Sequence, residues 1–175
     1  MTKSYKEYLL DINTFVFDVD GVFTDGKVLI DNNGELLRTM SVKDGYALKT
    51  AIQKGYTVGI ISGGTNEGVR KRFKSLGVEH IYLGADKKIE RLNDFISKLG
   101  IEPSQILYMG DDLPDIPVMK ISGIATCPQN AVPEVKAISN YVSHKNGGDG
   151  CVRDVIEQVL KVRGDWFENF SAAND

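Results

Sequence analysis

Five aspartates at or just beyond the ends of two short apolar runs define the chemistry open to this chain. In FVFDVDGVFTDG, residues 15–26, an apolar run is interrupted by Asp18 and Asp20 and then broken by Gly21. In QILYMGDDLPD, residues 105–115, a second apolar run ends in Asp111 and Asp112, with Asp115 one turn further on. Like charges at the end of a buried strand repel, and burying them is costly without a cation or a bound proton. If extended geometry persists to Asp20, the first two aspartates point to one face. Asp111 from a neighbouring strand then adds a third carboxylate. That donor set suits Mg²⁺, which takes oxygen ligands and keeps several waters. One such pair is equally well read as helix caps; two clusters at strand ends favour a metal.

A second group of residues suits an anion. Ser62, Gly63 and Gly64 follow the apolar run YTVGII and precede a helical pattern. A hydroxyl and free N–H groups at a helix start can hold phosphate oxygens. Lys87 and Lys88 open another helical pattern, and periodicity does not say which points inward.

These residues need elements to carry them. TFVFDV, YTVGIIS, HIYLG, QILYMG, GIATC and NYVS read as strands. Between them, residues 45–54, 65–76, 86–99, 113–120, 132–138 and 149–162 carry helical spacing or helix-start signals. Gly100 ends the stripe formed by Ile89, Leu92, Phe95, Ile96 and Leu99. The alternation predicts an α/β fold, a Rossmann-like doubly wound and mainly parallel sheet covered on both faces. Ligands bind such sheets beyond the carboxyl ends of the strands, where the polar residues lie. One interval departs from the rhythm: KVLIDNNGELLRTMSV predicts a β-hairpin insert, about residues 27–41, after the first strand. The expectation is a single domain over residues 1–175, with a flexible tail from about 165.

The 175 residues suffice for one core, and 42% hydrophobic with 26% charged residues is an ordinary globular composition. A net charge of −3 without a basic run argues against nucleic acid. No segment reaches the ~18 apolar residues of a membrane span, and no signal-peptide core is seen in MTKSYKEYLLDINTFVF. A cytoplasmic location is expected. Cys127 and Cys151 form no close-spaced motif, and His80 and His144 have no second ligand at zinc spacing.

Taken together, FDVDGVFTDG, IISGG, the lysine pair in ADKKIERL and YMGDDLPD resemble the four motifs of the haloacid dehalogenase-like phosphohydrolase superfamily. The resemblance implies Asp18 as nucleophile, Asp20 as general acid and base, and Ser62 and Lys88 as holders of the phosphoryl oxygens. It implies Mg²⁺ on Asp18, the Asp20 main-chain carbonyl and Asp111, with Asp112 and Asp115 behind them. Family spacing selects Lys88 over Lys87.

Only the hairpin separates the first two motifs, so the chain resembles the capless branch. Within it, SVKDGYALK, VRKRFKSLGV and NGGDGCVRDVIEQVL are similar to phosphatases of 3-deoxy-D-manno-octulosonate 8-phosphate. That likeness implies a sugar-acid pocket lined by Ser41, Val42, Lys43, Asp44 and Gly45, with Gly63, Arg72 and Lys88 also contacting substrate. It further implies a homotetramer associated through its hairpins. A related branch acts on a nine-carbon sugar-acid 9-phosphate and carries charged residues where this chain has Gly64 and Ser75, which favours the eight-carbon substrate. A receiver-type signalling domain is the other alternative. It would carry its acidic pair on the first strand and its phosphoacceptor mid-chain, the reverse of the order here.

Overall fold

Apolar runs too short for helices become the strands of one sheet, and the helical patterns between them become its two covering layers. The computed structural model describes residues 5–166. In chain order the elements are α1 (Tyr5–Leu9), β1 (Thr14–Phe17), β2 (Leu29–Ile30), β3 (Leu36–Leu37), α2 (Val42–Gln53), β4 (Thr57–Ile61), α3 (Glu67–Ser75), β5 (His80–Tyr82), α4 (Lys88–Leu99), β6 (Ile106–Met109), α5 (Ile116–Met119), β7 (Ile124–Cys127), α6 (Pro133–Ile138), β8 (Tyr141–Val142) and α7 (Cys151–Arg163). The strands lie in the order β5-β4-β1-β6-β7-β8, every neighbouring pair parallel. The first strand is therefore central, with Phe17 opposite both Ile60 and Met109. Strand order reverses between β1 and β6, which opens a crevice at their carboxyl ends.

Both faces of the sheet are buried, which is why the strands read as continuous apolar runs. Phe15 and Phe17 pack with residues of α2, α3 and α7, and Val16 packs with residues of α4, α5 and α6. The α4 stripe ends as its sequence suggests, on Gly100 at φ 64°.

Three elements differ from the sequence reading. The short helix α1 was not anticipated. Helix α2 begins at Val42 rather than residue 45, placing Asp44 and Gly45 in its first turn. Strand β1 ends at Phe17, so the pleat does not align Asp18 with Asp20. The chain instead turns over at Val19, whose carbonyl accepts from the amides of Val22, Phe23 and Thr24.

The hairpin forms where expected, with Leu29 opposite Leu37 and Ile30 opposite Leu36. Its turn is closed by the Asp31 amide donating to the Glu35 carbonyl and by Gly34 at φ 81°. Met40 packs against the core, but Leu29 and Ile30 are 68% and 65% exposed. Of the expected tail, residues 167–175 lie outside the described residues. Its first two residues are tied down: Tyr56 donates to Asp165 at 2.6 Å, and the Arg153 guanidinium stacks 5.4 Å from the Trp166 ring centre.

Candidate active site

The turn after β1 delivers the two aspartates. Residues 18–26 wrap round the buried hydroxyl of Thr24, which accepts from the amides of Gly21 and Gly26 at 3.1 and 3.2 Å. Gly21 has φ 85°, and a Cβ there would lie 1.9 Å from Asp111 Oδ2, so only glycine admits the second acidic segment. A Cβ on Gly147 would likewise lie 1.9 Å from the Gly21 carbonyl oxygen. The glycines of NGGDG thus let the α6–α7 region press against this turn, where the Gly148 amide donates to the Val22 carbonyl.

A cavity of about 440 Å³ opens above the switch point, lined by Asp18, Asp20, Ser62, Lys88, Asp111 and Asp115 among others. Gly63 and Asp112 also line it. Lys88 is the inward lysine: its Nζ lies 2.8 Å from Asp18 Oδ2 and 2.7 Å from Asp115 Oδ1. Lys87 is exposed and pairs with Glu90. Asp115, fully buried, also accepts from the Tyr108 hydroxyl at 2.6 Å and from the amides of Asp111 and Asp112. Asp112 turns back to cap the 3-10 turn Leu113–Asp115 through the Leu113 amide. The Ser62 hydroxyl accepts from the Gly64 amide at 3.2 Å.

Electrostatics here follow from burial beside like charges. Desolvation pushes the Asp18 carboxyl up to about 7, with Asp115 adding and Lys88 opposing. Asp111 is also pushed up to about 7, first by burial and then by Asp115. Burial pulls Lys88 down, but Asp18 and Asp115 together hold it above its ordinary value.

Carboxylate oxygens of Asp18, Asp111 and Asp115 lie within 4.8 Å of one another, an all-oxygen donor set fit for a hard dication. Asp115 already accepts four hydrogen bonds. Asp18 and Asp111 are the members left to face an ion.

The residues expected around a sugar acid are distributed more widely. Val42 and Arg72 line a neighbouring cavity of about 420 Å³ with Leu37, Arg38 and Met40. Ser41 and Lys43 line a third, beside Lys145 and Arg153. Gly45 lies against the Arg72 guanidinium. Asp44 lines none of these three cavities. It is fully buried and accepts from the Arg153 amide at 2.8 Å, so it caps the start of α7 rather than its own helix.

Two contributors escape sequence reasoning. Tyr108 looks like one more apolar strand residue, although a buried hydroxyl needs a partner, and the acidic segment immediately downstream offers one. Arg38, just after β3, reaches back to grip Asp20 through Nε at 2.6 Å and Nη2 at 3.1 Å. An arginine within an otherwise apolar hairpin strand was the available signal.

A family model for haloacid dehalogenase-like hydrolase matches residues 80–155. The 3-deoxy-D-manno-octulosonate 8-phosphate phosphatase KdsC of Salmonella typhi is 38% identical over 154 residues, covering 88% of this chain and 82% of that protein. The chain belongs to the haloacid dehalogenase-like hydrolases. The family's solved structures include the 3-deoxy-D-manno-octulosonate 8-phosphate phosphatase of Yersinia pestis, with TM-score 0.89, 32% identity and coverage of 91% of this chain and 86% of that one. The Moraxella catarrhalis phosphatase of the same name, in complex with magnesium ion, phosphate ion and KDO, has TM-score 0.89 and 35% identity over 92% of each chain. The six-stranded parallel sheet with a separate antiparallel hairpin is thus this hydrolase fold.

Proposed function

We propose that the chain is a Mg²⁺-dependent phosphatase that converts 3-deoxy-D-manno-octulosonate 8-phosphate to the free sugar acid and phosphate. The observation that carries the reaction type is Asp18, held at the switch point 2.8 Å from Lys88, with Asp20 lining the same cavity. The substrate is supported by relatives whose likeness spans most of both chains.

Asp18 attacks phosphorus, the bond to the sugar oxygen breaks, and Asp20 gives that oxygen its proton. Water then attacks the aspartyl phosphate, Asp20 takes the proton back, and the Asp18 carboxylate is released with inorganic phosphate. Lys88 Nζ and Ser62 Oγ hold the charge spread over the phosphoryl oxygens. Mg²⁺ bound by Asp18, Asp111 and the Asp20 carbonyl would screen the anionic nucleophile from the anionic phosphate. Asp115 and Tyr108 keep Lys88 in place.

On this reading the chain works as a single domain in the cytoplasm. Among the described residues no helix is long and apolar enough to cross a membrane. The exposed apolar hairpin supports a homotetramer, because a two-stranded ribbon with its apolar side chains in water is marginal alone. A neighbour seated there would also narrow the cavity holding Val42 and Arg72, where the sugar acid would extend.

Phosphate release with Mg²⁺ from a panel of sugar phosphates decides the substrate. The eight-carbon sugar-acid phosphate is expected to have the highest kcat/KM. A higher value for the nine-carbon 9-phosphate would overturn the substrate, and no release from any monoester would overturn the reaction.

A further inference from the structure

Arg38 of the hairpin reaches the lining of the cavity by bonding to Asp20. It follows β3 on the return strand, and its side chain is only 8% exposed. All three guanidinium nitrogens are engaged. Nε and Nη2 donate to the two oxygens of Asp20, and Nη1 donates to the Leu36 carbonyl at 2.8 Å. The same carbonyl accepts from the Asn66 side chain at 3.3 Å, and Asn66 caps α3 through the Val69 amide. The guanidinium is therefore anchored to the hairpin backbone, and the hairpin backbone is anchored to the helix that follows Ser62.

Asp20 itself stands on a turn, and its side chain is 37% exposed. A carboxylate on such a segment samples several rotamers, yet proton transfer needs its oxygen within hydrogen-bond reach of the leaving oxygen. A planar fork meeting both oxygens fixes the carboxylate plane as well as its position. It takes one lone pair from each oxygen and leaves the others to carry the transferred proton. Lysine could offer charge but not the plane.

We infer that Arg38 is a positioning residue for proton transfer. It holds the Asp20 carboxylate at the orientation from which the leaving oxygen is protonated, so the hairpin is part of the catalytic apparatus as well as a surface. The inference rests on the phosphatase reading. It predicts a dependence on the leaving group that a purely structural role does not give. An alkyl phosphate leaves as a basic alkoxide and needs the proton; 4-nitrophenyl phosphate leaves as a stable phenolate and hardly does.

The experiment compares kcat/KM for both esters in wild type, Arg38→Met, Arg38→Lys, Asp20→Asn and the Arg38→Met/Asp20→Asn double variant. Full general acid–base assistance contributes typically 10²–10⁴-fold, so misplacing the acid is expected to cost roughly 10–100-fold. That loss should fall on the alkyl phosphate, with less than about 3-fold for the nitrophenyl ester, and Arg38→Lys should recover part of it. The double variant should be no slower on the alkyl ester than Asp20→Asn, since Arg38 acts through Asp20. Equal losses on both esters, a change confined to KM, or additive losses in the double variant would overturn the inference. If Arg38→Met does not fold, the Arg38→Lys ratio between the two esters decides alone: an unchanged ratio overturns it. Failure of the wild type on both esters would count against the phosphatase reading instead, which keeps the two outcomes apart.

Discussion

If Mg²⁺ binds as proposed, its binding should be coupled to proton release, strongly enough to measure. In the metal-free protein, burial and the charge of Asp115 place the carboxyls of Asp18 and Asp111 at about 7, against an ordinary 3.8. A dication needs both as carboxylates, so below that range binding must expel one to two protons. Each expelled proton weakens apparent affinity about tenfold per pH unit. Between pH 5 and 6.5 the apparent Mg²⁺ affinity should therefore rise roughly 10- to 100-fold per unit, then level off above about pH 8. The sign for stability is opposite. A carboxyl whose folded value is raised contributes stability that is present at low pH and lost as pH rises from about 4 through about 7. Metal-free protein should lose thermal stability across that window, and the gain on adding Mg²⁺ should grow over the same interval. Titration calorimetry in buffers of different ionisation enthalpy counts the protons directly, and thermal melts with EDTA or Mg²⁺ follow the second effect. Equal Mg²⁺ affinity at pH 6 and pH 8, with no proton release, would refute the assignment of these carboxylates to the ion.

Other perturbations test neighbouring parts. Asp18→Asn should retain the fold but lose turnover at least 10³-fold, by analogy with removal of other covalent nucleophiles, with phosphate release and circular dichroism as the paired measurements. Tyr108→Phe removes one hydrogen bond to a buried carboxylate that keeps three other donors. It should cost about 1.5–3 kcal/mol in urea unfolding and lower kcat through a looser Lys88; an unchanged midpoint would mean the hydroxyl is not supporting Asp115. If the proposed homotetramer forms through the hairpins, Ile30→Glu on their exposed face should dissociate it by light scattering and lower kcat/KM. A fully active, undissociated variant would remove the hairpin from the interface.

Much of this could be read from the chain because strand and helix periods report burial, and burial is what the sheet demands. The six strands and the α4 stripe from Ile89 to Leu99 are of this kind. The acidic segments could be read because two runs of carboxylates at strand ends conflict with burial unless something resolves the conflict. What escaped depends on turns. That Asp20 meets Arg38 follows from how residues 18–26 fold over Val19 and Thr24, and no periodicity encodes that path. Asp44, expected in the sugar-acid pocket, stands in the first turn of α2 and instead serves α7, more than a hundred residues later. Between adjacent lysines periodicity does not choose; the family spacing selects Lys88, and the register of α4 sends it inward and leaves Lys87 in water.

The central place of β1 has a consequence for synthesis. The strand that leads into Asp18 is the first strand to leave the ribosome but lies between two strands made later. Its β4 edge can be satisfied after some 40 residues, whereas β6 follows about 90 residues behind it, roughly 4–18 s at ordinary elongation rates. Throughout that interval Phe15, Val16 and Phe17 present an open apolar edge, the kind of surface chaperones recognise and aggregates exploit. The same delay keeps a growing chain chemically silent. Asp18 cannot meet Lys88 until half of the polypeptide exists or Asp111 until nearly two thirds does, and the NGGDG loop that braces its turn arrives later still. A nascent chain therefore lacks the complete set of site residues and the loop that braces them until some 150 residues have been made.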